Sequence, residues 1–290
     1  MLVPDLLPQR ANIHHIIRSG LEEDIGRGDC TSNIFIPSDA HAICTMVTRH
    51  TCTLAGISIA AEIFALHDST LQIELLAQDA HSYDAGTSLV RISGNARSIL
   101  GAERTALNIV SYLSGIATHA QRCVQLLAGT GVTLLDSRKT LPLYRHLAKY
   151  AVRCGGARNH RLCLDDGVMI KDNHIAIAGG IREALMRART HVPALTKIEV
   201  ECDHLDQVRE ALDAGADVIM LDNMSLMDVR AAVAWVQKRV PLEVSGGIRY
   251  ENLRDYAATG VDFISMGALT HSVMAVDIGL DWTGAPKIGT

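Results

Sequence analysis

The sequence predicts an α/β protein, with a small mixed α+β domain followed by a parallel β/α barrel that is complete or one strand short. Three observations predict it. First, short apolar runs recur between about residues 130 and 270: VTLLD, GVMIK, KIEVE, DVIMLD, PLEVS and VDFISMG. Second, most are separated by stretches of helical periodicity, in repeats about as long as one strand plus one helix. Short strands that are apolar throughout belong in a parallel sheet covered by helices. Third, the upstream rhythm is different, with short stretches that alternate apolar and polar side chains as half-exposed strands do. An open doubly wound sheet is the competing architecture. The dinucleotide G-x-G-x-x-G turn is absent, and so is a P-loop.

The elements follow in order. Ile13, Ile16, Ile17 and Leu21 recur at helical spacing, which predicts an amphipathic helix near 12–23. It runs into the polar, Gly-rich loop EDIGRGDCTS. The alternating stretches Ile43–Thr48, Leu71–Leu76 and Ser88–Ile92 predict strands, with helices near 56–66 and 96–114. In the second region Leu205–Ala214 and Met227–Val236 predict helices between strands. The expected domains are 1–110 and 111–271, with 272–290, ending DWTGAPKIGT, packing back on the first.

Composition limits the function. Of 290 residues, 48% are hydrophobic and only 4% aromatic, so the core must be aliphatic. A net charge of -5 argues against nucleic acid as a partner, which needs a basic face. It leaves room for a small anion in a local basic pocket. MLVPDLLPQR lacks the pattern of a signal peptide, and no apolar run reaches the length of a membrane span. The seven cysteines are odd in number with none at CxxC spacing, which fits reduced thiols in a cytoplasmic protein.

Each apolar run ends, at its carboxyl side, in a chemically capable group. The first ends in Asp136, Arg138 and Lys139, and the next in Lys171, then Glu201, then Asp222. Ser245-Gly246-Gly247 and Gly267 close the last two. A single such residue reads best as a helix cap or a solvated loop. Recurrence at every strand points to an active site, because β/α barrels build theirs at this face. Arg138, Lys139, Arg161 and Lys171, with His160 beside them, concentrate positive charge and point to a substrate with several carboxylates or phosphates. Glu201 and Asp222 could hold Mg2+, bond ribose hydroxyls or stabilise a developing cation. Glycines after the last two strands let backbone N–H groups approach a phosphate. Asp165-Asp166 and His14-His15 read as solvated residues. No HExxH, Cys/His cluster or nucleophile elbow is present.

These residues resemble the quinolinate phosphoribosyltransferase family. The resemblance is carried by LEEDIGRGDCTS (21–32), AERTALNIVSYLSGIAT (102–118), DSRKT (136–140) and KYAVRCGG…NHR (149–161). It continues through IKDNHI (170–175), IEVECDHLDQVREALDAGADVIMLDNMS (198–225), EVSGGI (243–248) and GVDFISMGALTHS (260–272). It implies an amino-terminal α/β sandwich domain and an α/β barrel with an incomplete strand set. It implies a homodimer with shared active sites, or a higher oligomer, that uses quinolinate, phosphoribosyl pyrophosphate and Mg2+. On this resemblance Arg104, Arg138, His160, Arg161 and Lys171 bind quinolinate. Lys139, Lys171, Glu201 and Asp222 engage phosphoribosyl pyrophosphate and Mg2+, directly or through water or substrate. Ser245-Gly246-Gly247 and Met266-Gly267-Ala268 cradle the 5′-phosphate. The chain departs from the usual family pattern at Ser137, at Leu143 where a Gly is usual, and at Asp165 where an aromatic is common. Three other readings stay open: a paralogous phosphoribosyltransferase or pyrophosphorylase, a Schiff-base aldolase using Lys171, and a non-catalytic metabolite-binding protein.

Overall fold

The computed structural model describes residues 10–283. The amino-terminal segment through residue 9 and the last seven residues of the tail lie outside them. The described residues divide into two compact units, one holding those up to Gln121, 141–156 and those from Val273, the other 122–140 and 157–272. The cut expected after residue 110 falls inside a long helix, and 141–156 groups with the first unit.

The first unit begins with α1 (Arg10–Ile25) and α2 (Cys30–Phe35), then β1 (His41–Thr48), β2 (Cys52–Thr53) and α3 (Ile57–His67). It continues through β3 (Gln72–Leu75), β4 (Ser82–Tyr83), β5 (Ser88–Asn95) and α4 (Ala96–Leu126). α1 is the expected helix, with Ile13, Ile17 and Leu21 buried. α2 begins inside the stretch read as loop: Asp29 caps it by accepting the Ser32 N–H at 3.0 Å. α4 runs past the expected end at 114 because its apolar face continues through Ile116, Ala117, Ala120 and Cys123, all buried.

In the second unit six parallel strands stand in the order β6-β11-β10-β9-β8-β7. Each comes from one of the apolar runs. β6 (Thr133–Leu135) is followed in the chain by α5 (Arg145–Cys154), which belongs to the first unit. Then come β7 (Val168–Ile170), α6 (Asp172–Ala178), α7 (Ile181–His191), β8 (Ile198–Cys202), α8 (Leu205–Asp213) and β9 (Val218–Asp222). After α9 (Leu226–Val236) come β10 (Leu242–Ser245), α10 (Leu253–Ala257), β11 (Phe263–Ser265) and α11 (Ala268–His271). The helices bury Val208, Ala211, Val229, Ala232 and Val236. Arg158 adds a parallel bridge to Leu135 on the outer edge of β6. Among the described residues no ladder joins that edge to β7, so the strand set is incomplete. β12 (Ile278–Trp282) returns to the first unit, pairing antiparallel with β1 in a sheet ordered β12-β1-β5-β3.

Strand parity positions the site. Alternate residues of a strand point to opposite faces. On one face Ile198, Val200, Ile219, Leu221, Val244 and Ile264 are buried. The other parity carries Met169 and Lys171, Glu199 and Glu201, Met220 and Asp222, Glu243 and Ser245.

Candidate active site

A cavity of about 730 Å³ opens at the carboxyl ends of these strands. Its lining brings together Arg138, Lys139, His160, Arg161, Lys171, Glu201 and Asp222. Ser245, Gly246, Gly247, Gly267 and Ala268 complete the set expected from the sequence. Two expected residues are elsewhere. Met266 is buried at 1% exposure, and its N–H donates to the Leu135 carbonyl at 3.0 Å, so that donor is not free for a phosphate. Arg104 stands exposed on α4, in the first unit.

Each functional side chain is held by local geometry. Lys171 follows β7 directly and caps α6, and its ammonium is ion-paired with Glu201 near the end of β8. The Asp222 carboxylate accepts the Asn223 amide at 2.7 Å. Asp136 is fully buried. It accepts the His160 N–H at 2.9 Å and the Asn159 amide at 2.6 Å, so it anchors the Asn-His-Arg segment at the cavity wall. Arg161 donates to the Gly167 carbonyl at 2.9 Å. Burial and the adjacent Arg138 charge lower the Arg161 pKa from its ordinary value, while Glu199 and Glu201 oppose them. Arg138 keeps its Nε buried with no partner among the described residues, a donor that a bound anion would satisfy.

The glycine turn has a steric reason. Gly246 has φ +83°, and a Cβ there would meet the Asn223 backbone N at 2.8 Å. Only Gly lets the β10 and β9 turns approach this closely. The Lys139 loop is tied to α11, where the Thr270 hydroxyl donates to the Lys139 carbonyl at 2.7 Å. Leu143, the departure from the usual Gly, adopts a left-handed φ of +67°.

Sequence reasoning missed several groups. Asn223, Arg249, Ser265, His271 and Ser272 also line the cavity. Glu199 and Glu243 lie below it, 7% and 1% exposed, with His160 Nε2 at 3.1 and 3.6 Å from their Oε2 atoms. Burial pushes Glu243 up to about 8, the Glu199 charge adding to this and His160 opposing it. The available signal was a carboxylate two positions before Glu201 and another two before Ser245, each inside an apolar strand.

The arrangement offers cations for a multiply charged anion, two carboxylates facing them, and a glycine-lined wall. The family models for quinolinate phosphoribosyl transferase match here, the N-terminal domain over residues 29–114 and the C-terminal domain over residues 116–281. A nicotinate-nucleotide pyrophosphorylase [carboxylating] of Mycobacterium leprae is 41% identical over 273 residues, covering 91% of this chain and 95% of that protein. The solved nicotinate-nucleotide pyrophosphorylase of Francisella tularensis superposes with a TM-score of 0.92 at 40% identity, covering 95% of this chain and 98% of that one. The Ehrlichia chaffeensis structure of that name gives 0.89 at 38% identity, over 93% and 98%. With both domain models matched in sequence order and relatives aligned nearly end to end, this chain belongs to the quinolinate phosphoribosyl transferase family.

Proposed function

We infer that this protein transfers the phosphoribosyl group of phosphoribosyl pyrophosphate to quinolinate, releasing pyrophosphate and carbon dioxide and forming nicotinate mononucleotide for NAD biosynthesis. The observation that carries the reading is the opposition, in one cavity, of Arg138, Lys139, Arg161 and Lys171 to Glu201 and Asp222. Pyrophosphate leaves the ribose C1 through a transition state resembling an oxocarbenium ion. Lys139 and Lys171 stabilise charge on the leaving group, and Glu201 and Asp222 stabilise the ribose cation. The pyridine nitrogen bonds to C1 and the ring becomes cationic. It then accepts the electron pair left when the 2-carboxylate departs as carbon dioxide, and that carbon takes up a proton. Arg138, Arg161 and Lys171 hold the diacid in register. Lys171 exchanges its Glu201 partner for a substrate oxygen as the site fills.

The carboxylates of Glu201 and Asp222, with the Asn223 amide, are hard oxygen donors of the kind Mg2+ takes, so these residues would hold it. When bound, Mg2+ neutralises charge on the pyrophosphate. A Schiff-base lysine needs a desolvated, neutral amine, whereas Lys171 is paired with a carboxylate.

We further propose a cytoplasmic homodimer with shared sites, in which Arg104 of the neighbouring subunit reaches the quinolinate. The cysteines support the compartment: none of the seven described is in a disulfide, and five are buried. Among the described residues no helix is long and apolar enough to cross a membrane. The test of the reaction is to mix protein, quinolinate, phosphoribosyl pyrophosphate and Mg2+ and assay nicotinate mononucleotide. Product that requires both substrates is expected. No product under these conditions would refute the assignment.

A further inference from the structure

The interior of the second unit holds two carboxylates that the proposed chemistry leaves unused. Glu199 on β8 and Glu243 on β10 are buried, and each keeps an Oε1 with no partner among the described residues. Their other oxygens face one imidazole. His160 Nε2 lies 3.1 Å from Glu199 Oε2 and 3.6 Å from Glu243 Oε2.

The second ring nitrogen decides what this contact is. The Arg161 backbone N–H donates to His160 Nδ1 at 2.7 Å. A donor needs a lone pair to point at, so Nδ1 is unprotonated and the ring proton sits on Nε2. His160 is therefore the neutral Nε2–H tautomer, and its proton is directed at Glu199. The three side chains also offer ligand atoms all within 4.8 Å of one another, as a metal site would. A metal-bound neutral imidazole carries its proton on the other nitrogen and donates it outward. Here that position already receives an N–H, so the hydrogen-bonded reading is favoured over a metal.

The contacts form a chain. Glu199 accepts from the His160 ring, Glu243 flanks the same nitrogen, and the ring takes the Arg161 N–H. The Arg161 guanidinium, steadied by the Gly167 carbonyl, lines the cavity. From the other side Asp136 grips the His160 N–H and the Asn159 amide, so the segment keeps one anchor if the acids are changed.

We propose that Glu199 and Glu243 are positioning residues for acid recognition, fixing the tautomer and tilt of His160 and thereby aiming Arg161 at a substrate carboxylate. This rests on the reading of the cavity as a dicarboxylate site.

The test compares Glu199→Gln, Glu199→Leu and Glu243→Gln with the wild type. Quinolinate binding is followed by calorimetry, both KM values by kinetics and the His160 ring by 15N NMR. A neutral N–H donates to an amide oxygen as it does to a carboxylate, so Glu199→Gln should stay close to wild type. Glu199→Leu removes the acceptor. It should raise the KM for quinolinate roughly tenfold or more, and move the KM for phosphoribosyl pyrophosphate by less than about twofold. The wild-type spectrum should show protonated Nε2 and bare Nδ1, and Glu243→Gln should keep that pattern. Equal rises in both KM values would overturn the proposal. So would a Glu199→Gln as damaged as Glu199→Leu, or a wild-type ring protonated at Nδ1. If Glu199→Leu does not fold, the NMR pattern and the Gln variants still decide. Wild type that fails to bind quinolinate would refute the functional reading. Wild-type binding that Glu199→Leu leaves unaltered would refute only the positioning role.

Discussion

Lys171 and Glu201 neutralise each other at the end of two strands, and each also has a substrate to meet. Replacing Glu201 by Gln, or Asp222 by Asn, keeps shape and removes charge. Turnover should fall by about two orders of magnitude or more while the thermal unfolding transition is retained. Near-normal turnover in both amide variants would show the carboxylates to be structural. Arg161→Ala should weaken quinolinate binding by about 2–5 kcal/mol, because a bound carboxylate loses a partly buried partner. Phosphoribosyl pyrophosphate binding should change far less, and calorimetry on each ligand separates the two. Leu143 sets a different residue-scale problem. It is 74% exposed with φ +67°, so its side chain contributes little packing and its backbone is strained. Gly relieves that strain but gains entropy in the unfolded chain. The strain should win, and Leu143→Gly should stabilise the fold by up to about 1 kcal/mol in urea denaturation. A loss of stability would mean that the added entropy of the unfolded glycine chain outweighs the strain relieved.

At the scale of elements, the strands explain both what the sequence disclosed and what it concealed. Six apolar runs became six parallel strands because β-branched and aliphatic runs buried under helices leave few other solutions. The polar ends were legible for the same reason, since a charge that interrupts an apolar run stands out. Glu199 and Glu243 were overlooked because strand parity hides an inward carboxylate among outward aliphatic neighbours. A turn named by its glycine does not disclose that the sheet has already taken the Met266 N–H. α2 is illegible in the sequence because a six-residue helix carries too few residues to show a period. Glu243 also gives a prediction about pH. Its pKa is raised from 4.5 to about 8 in the folded chain. Below 4.5 both folded and unfolded forms hold the proton. Above that the unfolded chain releases it while the fold retains it, so this group's contribution to stability falls as pH rises toward about 8, then levels. Glu243→Gln lacks the titration. The stability of wild type relative to Glu243→Gln, from denaturant midpoints, should decline between pH 5 and pH 8. A flat or rising difference would show that Glu243 is ionised inside the fold.

At the scale of the whole molecule, the question is whether one chain suffices. The cavity of the second unit supplies Arg138 and Arg161 for a substrate with two adjacent carboxylates. Arg104 is on α4 in the first unit, exposed, with Glu103 beside it. An exposed helical arginine is ordinarily a solvated residue. On the proposal of shared sites it instead lies across a dimer interface, where it would complete the site of the neighbouring subunit. The two readings differ in what a mixture of defective chains can do. Arg104→Ala and Glu201→Gln should each be nearly inactive alone. If Arg104 serves the partner, a mixed dimer gathers both lesions into one site and leaves the other intact. Random exchange makes about half the dimers mixed, each with one good site of two, so activity should recover to roughly a quarter of wild type. If Arg104 serves its own chain, each site of the mixed dimer carries one lesion and nothing is recovered. Subunit exchange demonstrated by mass labelling, with no return of activity, would assign Arg104 to its own chain.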